Sequence, residues 1–101
     1  MTKLRPTLIS DALLYAPPPK TAYQLILRAV MDRNGLIHGR LRGPTGYCAI
    51  GCFFESNKKL ALYDSLVDEV AAVNDSVPRY TNRQRRQYVC RWLREKLRTS
   101  P

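Results

Sequence analysis

A long amphipathic segment, PRYTNRQRRQYVCRWLREKLR at residues 78–98, constrains the fold of this chain most. At about 100° per residue, its apolar side chains fall on one stripe of a helix. That stripe comprises Val89, Cys90, Leu93 and Leu97, with Trp92 at its edge. Thr81 and Gln84, three residues apart, form a capping box. The segment therefore predicts a helix from Thr81 to about Arg98 that packs one face on the rest of the chain.

The opposite face of this predicted helix is rich in arginine. From Arg79 to Arg98 the chain has eight basic residues and one acid, Glu95, so neighbouring carboxylates cannot neutralise the face. Like charges one turn apart cost about 0.2–0.5 kcal/mol each, so the pattern indicates an external counter-charge. Arginine far outnumbers lysine, which suits bidentate phosphate or carboxylate recognition. The residues of this face are Arg83, Gln87, Arg91, Arg94 and Arg98. The predicted contact residues of the whole segment are Arg79, Arg83, Arg85, Arg86, Arg91, Arg94 and Arg98.

The middle of the chain predicts a helix followed by a hairpin. Thr21 can cap a helix that runs to about Arg33 and stops at Asn34 and Gly35. From Gly35 the apolar period changes to two, and GPTG turns the chain into YCAIGCFF. This second arm is either a buried strand or the first turns of a buried helix. The outer face of the hairpin extends the predicted basic surface with His38, Arg40 and Arg42.

Two further segments complete the predicted architecture. Apolar residues from about Lys59 to Val73 recur at helical spacing and predict an amphipathic helix, which the loop NDSVPRY follows. The first twenty residues end in APPPK, where three prolines fix an extended backbone. We therefore predict an extended proline-rich arm over residues 1–20 and a compact domain over 21–101. The fold class is α+β, a small single domain with an N-terminal helix, a β-hairpin and two C-terminal amphipathic helices.

The order of these pieces resembles a group of small uncharacterised proteins encoded by bacteria and their phages. In that group the pattern runs C-x-x-G-A, then W-N-D, then R-T before the last helix. The matching positions are Cys48, Gly51, Asn74, Asp75 and Thr81, across residues 21–98; the chain departs from the pattern at Cys52, Val73 and Tyr80. The resemblance implies a compact helix and hairpin fold of phage or mobile-element origin, and it assigns no catalytic residue.

Three cysteines could carry chemistry. With His38 they supply the four ligands of a structural zinc site, but Cys48 and Cys52 have three intervening residues instead of the usual two. A disulfide requires Cβ atoms roughly 4 Å apart. Cys48 and Cys52 do not meet this distance on a strand, where they lie about 13 Å apart, or on a helix, where their Cβ atoms are about 5–6 Å apart. A nucleophilic Cys48 with His38 as its base lacks an orienting third group. We predict that the thiols, Cys90 included, pack as small buried hydrophobes, with no metal, no cofactor and no catalytic residue.

The net charge and the lengths of the apolar runs limit the classes of function that the chain can have. With a net charge of +9 over 101 residues, the chain favours acidic partners such as nucleic acid. No apolar run approaches the roughly 20 residues of a membrane span, and the N-terminus lacks the pattern of a signal peptide, so we expect a cytoplasmic protein, in the host cytoplasm if phage-encoded. We predict a non-enzymatic accessory protein that binds nucleic acid or a nucleoprotein complex. The alternative is an inhibitor or assembly factor that docks on one acidic protein partner.

Overall fold

The computed structural model describes residues 4–5 and 15–99. Within this part, four helices form the body of the domain: α1 (Pro19–Met31), α2 (Ala49–Ser56), α3 (Asp64–Asn74) and α4 (Asn82–Thr99). Four short strands pair as two antiparallel ribbons. In one, β1 (Leu4–Arg5) lies beside β4 (Leu62–Tyr63); in the other, β2 (Arg42–Gly43) lies beside β3 (Gly46–Tyr47). The α+β class is confirmed, with one helix more than the sequence predicted.

The first helix begins three residues earlier than expected, because its cap is Pro18 and not Thr21. Pro18 is its N-cap and Pro19 its first residue, a position where proline's missing N–H costs nothing. Thr21 is exposed inside the first turn and caps nothing. The helix ends at Met31, before the Asn-Gly pair that was predicted to stop it. The boundary expected at residue 20 therefore falls inside α1.

The hairpin is smaller than expected. Only β2 and β3 pair, around a turn at Pro44 and Thr45, while residues 36–41 run irregularly across the domain. Of the two interpretations of YCAIGCFF, the helical one is correct from Ala49 onward. Cys48 is the N-cap of α2, and its Sγ accepts a hydrogen bond from Gly51 N at 3.5 Å.

Gly51 is required by a close approach between α2 and the preceding loop. A Cβ at this position would lie 2.0 Å from the Leu41 carbonyl oxygen. That oxygen accepts from Cys48 N at 3.2 Å, so the loop is held against the first turn of α2. The C-x-x-G spacing thus has a local reason: the cysteine caps the helix, and the glycine makes room for the backbone of residue 41.

The segment before α3 also differs from expectation. A helix was predicted from about Lys59, but Leu62 and Tyr63 extend as β4 and the helix starts at Asp64. Strand β4 pairs with β1, and Tyr15 bridges Leu60 in parallel orientation. Residues 6–14 of the predicted proline-rich arm lie outside the described residues.

Buried polar groups join the loops to the core. Asn74, 2% exposed, accepts from Ala49 N at 3.0 Å and donates to the Ile37 carbonyl at 2.8 Å. Asp75 accepts from Gly39 N at 2.9 Å. The Asn-Asp pair thus fastens the start of α2 and the irregular 37–39 segment to the end of α3.

The core lies where the four helices meet. Helix α1 packs against α4 on one side and α2 on the other, and α3 contacts both α2 and α4. The fully buried apolar side chains at the centre include Ile26, Val30, Phe53, Val70 and Leu93. No helix in the described part of the chain is both long enough and apolar enough to cross a lipid bilayer.

Candidate nucleic-acid interface

The capping box and the two faces of α4 are as predicted. Gln84 N donates to Thr81 Oγ1 at 3.1 Å, and Thr81 N donates to Gln84 Oε1 at 2.9 Å. Val89, Cys90 and Leu93 are buried, while Trp92 and Leu97 are partly buried against the core. Anchored in this way, α4 turns its other face to solvent. The exposed residues there are Arg83, Gln87, Arg91, Arg94 and Arg98.

A shallow groove of about 460 Å³ runs along this exposed face. Arg86, Arg91, Arg94 and Arg98 line it, with the edge of Cys90 at its floor. Glu95 lines the same groove and is ion-paired with Arg98, which lowers the positive charge at that end. The groove is therefore most cationic along its middle, at Arg91 and Arg94.

Most of these guanidinium groups have no carboxylate to neutralise them. Among the residues that the structure describes, Arg83 and Arg91 make no ion pair or hydrogen bond, and Arg94 contacts only Met31 Sδ, at 3.6 Å. Lys96 differs, because its Nζ lies 3.0 Å from Glu69 Oε2. Tyr23 OH also donates to Glu69, and burial together with this contact raises the pKa of Tyr23. The arginine face therefore carries charge at Arg83, Arg91 and Arg94 that no described carboxylate neutralises.

Arg85 does not belong to this face, contrary to the prediction. It is 2% exposed, and its guanidinium donates to the carbonyls of Leu36 (3.0 Å), Pro78 (3.2 Å) and Tyr80 (3.0 Å). These bonds tie the start of α4 to the loops before α4 and after α1. Arg85 precedes Val89 by four residues and Leu93 by eight, so the helical period that placed those residues in the core also assigns Arg85 to it.

Arg86 lies at the edge between core and surface. It is partly buried and donates to the Met31 carbonyl at 2.9 Å, which joins α4 to the end of α1. It also lines a second groove of about 320 Å³, together with Met31, Arg33, Asn34 and Arg83. The two grooves therefore meet at Arg86, and the basic surface continues from the first turns of α4 to the residues that follow α1.

Arg33 extends this surface to the hairpin, although the sequence did not single it out. Its Cζ lies 4.6 Å from the centre of the Tyr47 ring, and Arg42 Cζ lies 5.9 Å from the same ring. Both distances are within cation–π range. We call the continuous cationic surface from α4 to the hairpin the basic track. Its residues are Arg94, Arg91, Arg86, Arg83, Arg33 and Arg42.

Three predicted residues lie apart from the basic track. Arg40 is exposed but lines a different groove, which it shares with the acids Asp68 and Asp75. His38 and Arg79 are exposed and line neither groove of the track. The structure thus brings together Arg42 and the α4 arginines, but it does not bring His38, Arg40 or Arg79 to them.

The cysteines are free thiols within the core. All three are at most 5% exposed. Burial raises the pKa of Cys48, and hydrogen bonds from the backbone N–H groups of Gly51 and Ile50 only partly oppose it. Burial also raises the pKa of Cys52, to about 12. Within the described ranges, no group of three His, Cys, Asp or Glu side chains is arranged to hold a metal ion.

Comparison of this chain with models of known protein families, with curated proteins and with solved structures finds no match.

Proposed function

We propose that the protein is a small non-catalytic accessory protein that binds nucleic acid or a nucleoprotein complex through the arginine face of α4. The observation that carries the proposal is the unneutralised charge of Arg83, Arg91 and Arg94, which project from one face of a helix whose other face is fixed in the core. A phosphate backbone supplies repeated negative charge at close spacing, which is the counter-charge such a face lacks.

The arrangement of the face fits a nucleic-acid backbone. A guanidinium group offers a planar fork of donors that matches phosphate or carboxylate oxygens, and a row of such groups along one helix face matches the repeated phosphates of a strand. Phosphate contacts of this kind release condensed counterions, so the affinity depends strongly on salt. The burial and raised pKa of the Cys48 thiol, at the position where a nucleophile was considered, support a role without catalysis. At Cys48, Gly51 and Asn74 the chain resembles small proteins encoded by bacteria and their phages. On this basis we propose that it serves a phage or mobile element in the host cytoplasm.

A second candidate function is a protein-binding inhibitor, and one observation favours it. Beside the basic face, a groove of about 420 Å³ is lined by Leu27, Met31 and Leu97, and Met31 is 47% exposed. Apolar side chains next to cations are also found at protein interfaces. A single protein that remains bound after nuclease treatment in affinity purification, with no direct binding to nucleic acid, would favour this candidate.

The proposal is tested by fluorescence anisotropy with labelled DNA and RNA oligonucleotides from ~50 to ~200 mM salt. The double variant Arg91→Ala/Arg94→Ala should bind about tenfold more weakly. It should also reduce the slope of log K against log salt by roughly 1.4 on a single strand, because each phosphate that an arginine neutralises contributes about 0.7 to that slope.

The matched control is Lys20→Ala/Lys59→Ala. It removes the same charge at two exposed positions that line neither groove of the basic track. If binding were purely a net-charge effect, both double variants would weaken it equally. Equal weakening, or no binding by the unmodified protein at ~50 mM salt, would refute the proposal.

A further inference from the structure

A pocket at the hairpin, distinct from the grooves described above, lies at the end of the basic track. Its volume is about 340 Å³, within the ~300–1,000 Å³ range of ligand pockets. Leu41, Tyr47 and Phe54 form its apolar wall, while Arg42 and Lys58 are at its rim. Leu41 is 53% exposed, although a leucine side chain gains nothing from contact with water. We call this the hairpin pocket.

The pocket is held in place by the close packing described above. Because Gly51 has no side chain, the backbone of Leu41 lies against the first turn of α2, and the Gly51 position itself lines the pocket. Tyr47 is fixed from the other side, where its carbonyl accepts from Ile37 N at 3.0 Å. An aromatic ring and an exposed leucine are thus positioned before any ligand arrives.

The charges around the pocket are mostly cationic. Arg33 and Arg42 both lie over the Tyr47 ring, at 4.6 and 5.9 Å. Glu55 also lines the pocket, but it lies 3.5 Å from Lys58, so these two rim charges offset each other. The remaining charge is that of the two guanidinium groups. An apolar aromatic wall beside them suits a ligand that has a flat π-surface and an anionic group.

We propose that the hairpin pocket binds an unpaired base of single-stranded nucleic acid, whose phosphates continue along Arg42, Arg33 and the α4 arginines. The inference rests on the proposed function and specifies its substrate class. Single-strand binders combine a cationic path for the backbone with aromatic side chains on which bases stack. In a duplex the bases are stacked on each other, so a duplex leaves the apolar wall of the pocket in water.

The test compares three labelled probes on the full chain: a single strand of about 20 nucleotides, the same strand with abasic sites in place of its bases, and a duplex. The single strand should bind about tenfold more tightly than the abasic strand, since stacking contributes roughly 1–3 kcal/mol for each base. It should also bind more tightly than the duplex.

Two pocket variants separate base from phosphate binding. Tyr47→Leu should weaken single-strand binding about tenfold more than it weakens abasic binding, where a smaller loss follows because Arg33 and Arg42 pack on the same ring. Arg91→Ala/Arg94→Ala should weaken both by the same factor. Leu41→Ser is the second pocket variant, because an exposed side chain can be changed without opening the core, and it should act in the same direction. Photocrosslinking from 5-bromouracil should label the peptide that carries Tyr47 or Phe54.

The outcomes distinguish this inference from the proposed function. If the single strand and the abasic strand bind equally and neither pocket variant changes their ratio, the pocket inference is overturned while phosphate binding by α4 stands. Tighter binding of the duplex would overturn it as well. If none of the three probes binds at ~50 mM salt, both proposals fail, and a protein partner becomes the remaining candidate.

Discussion

Replacing Arg85 by methionine separates its structural role from the binding role proposed for its neighbours on α4. Arg85→Met keeps an apolar stem of similar length and removes a guanidinium that donates to three backbone carbonyls. Only the bond to Leu36 O, at 3.0 Å, is fully buried, whereas the bonds to the carbonyls of Pro78 and Tyr80 are partly exposed to water. An unsatisfied buried acceptor costs about 1–3 kcal/mol, and a hydrogen bond from a charged donor contributes about 1.5–3 kcal/mol.

The net effect is smaller than the sum of these bonds. Removing a buried charge also removes its desolvation cost, which offsets part of the loss. We expect Arg85→Met to lower the free energy of unfolding by about 2–3 kcal/mol, out of the ~5–15 kcal/mol typical of a domain. At roughly 4–8 °C per kcal/mol for a chain of this size, the melting temperature should fall by about 10–20 °C.

The matched control is Arg91→Met, an exposed position on the same helix. It should change stability by less than ~0.5 kcal/mol and still weaken nucleic-acid binding. Thermal unfolding followed by circular dichroism and anisotropy measured well below the midpoint provide the two readouts. The reasoning is refuted if Arg85→Met unfolds within ~0.5 kcal/mol of the unmodified protein, or if its folded form loses as much binding as Arg91→Met.

Three further predictions concern the packing around α2. Gly51→Ala places a methyl group 2.0 Å from the Leu41 carbonyl oxygen, so urea unfolding should show a loss of about 2–3 kcal/mol despite alanine's higher helix propensity; an unchanged midpoint would contradict the close approach. Asn74→Ala leaves two buried backbone groups without a partner and should cost about 2–4 kcal/mol by the same measurement. A loss close to zero would mean that the Asn74 side chain is exposed and makes neither bond. Burial raises the pKa of Cys52 above its value in the unfolded chain, so the neutral thiol contributes its full share of stability below pH 9. The free energy of unfolding should fall as the pH rises from 9 toward about 12. If the free energy of unfolding does not change over this range, and the native thiol is labelled rapidly, Cys52 is accessible and the reasoning is wrong.

The features that could be predicted from the sequence are those set by local periodicity. The last helix, its capping box and its two faces follow from the spacing of a few residues, and the structure reproduces them. The α+β class follows from the order of such segments. The start of α1 was misplaced because a capping threonine was preferred over Pro19, although proline is also favoured at the first position of a helix.

The remaining features depend on contacts between distant parts of the chain. The hairpin was predicted too long because alternating residues from Ile37 to Leu41 indicate a strand, while the bonds that fix this segment come from Asn74 and Asp75. Strand β4 depends on residues 4–5, which no local pattern could pair with it. Arg33 joins the basic track only because the fold places Tyr47 and α4 beside the end of α1. Arg85 differs from these features, because its error did not come from a distant contact. Its helical spacing from Val89 and Leu93 was sufficient to place it in the core.

The packing of α1 against α4 has a consequence for biosynthesis. Ile26 and Val30 of α1 are buried in a core to which α4 contributes Val89 and Leu93, and the ribosome makes α4 about fifty residues after α1. A nascent chain that stops before α4 therefore leaves an apolar surface uncovered, which makes such products prone to aggregation. It also lacks the arginines of α4. The chain therefore completes its core and gains the arginine face of α4 in one step, and a truncated product has neither.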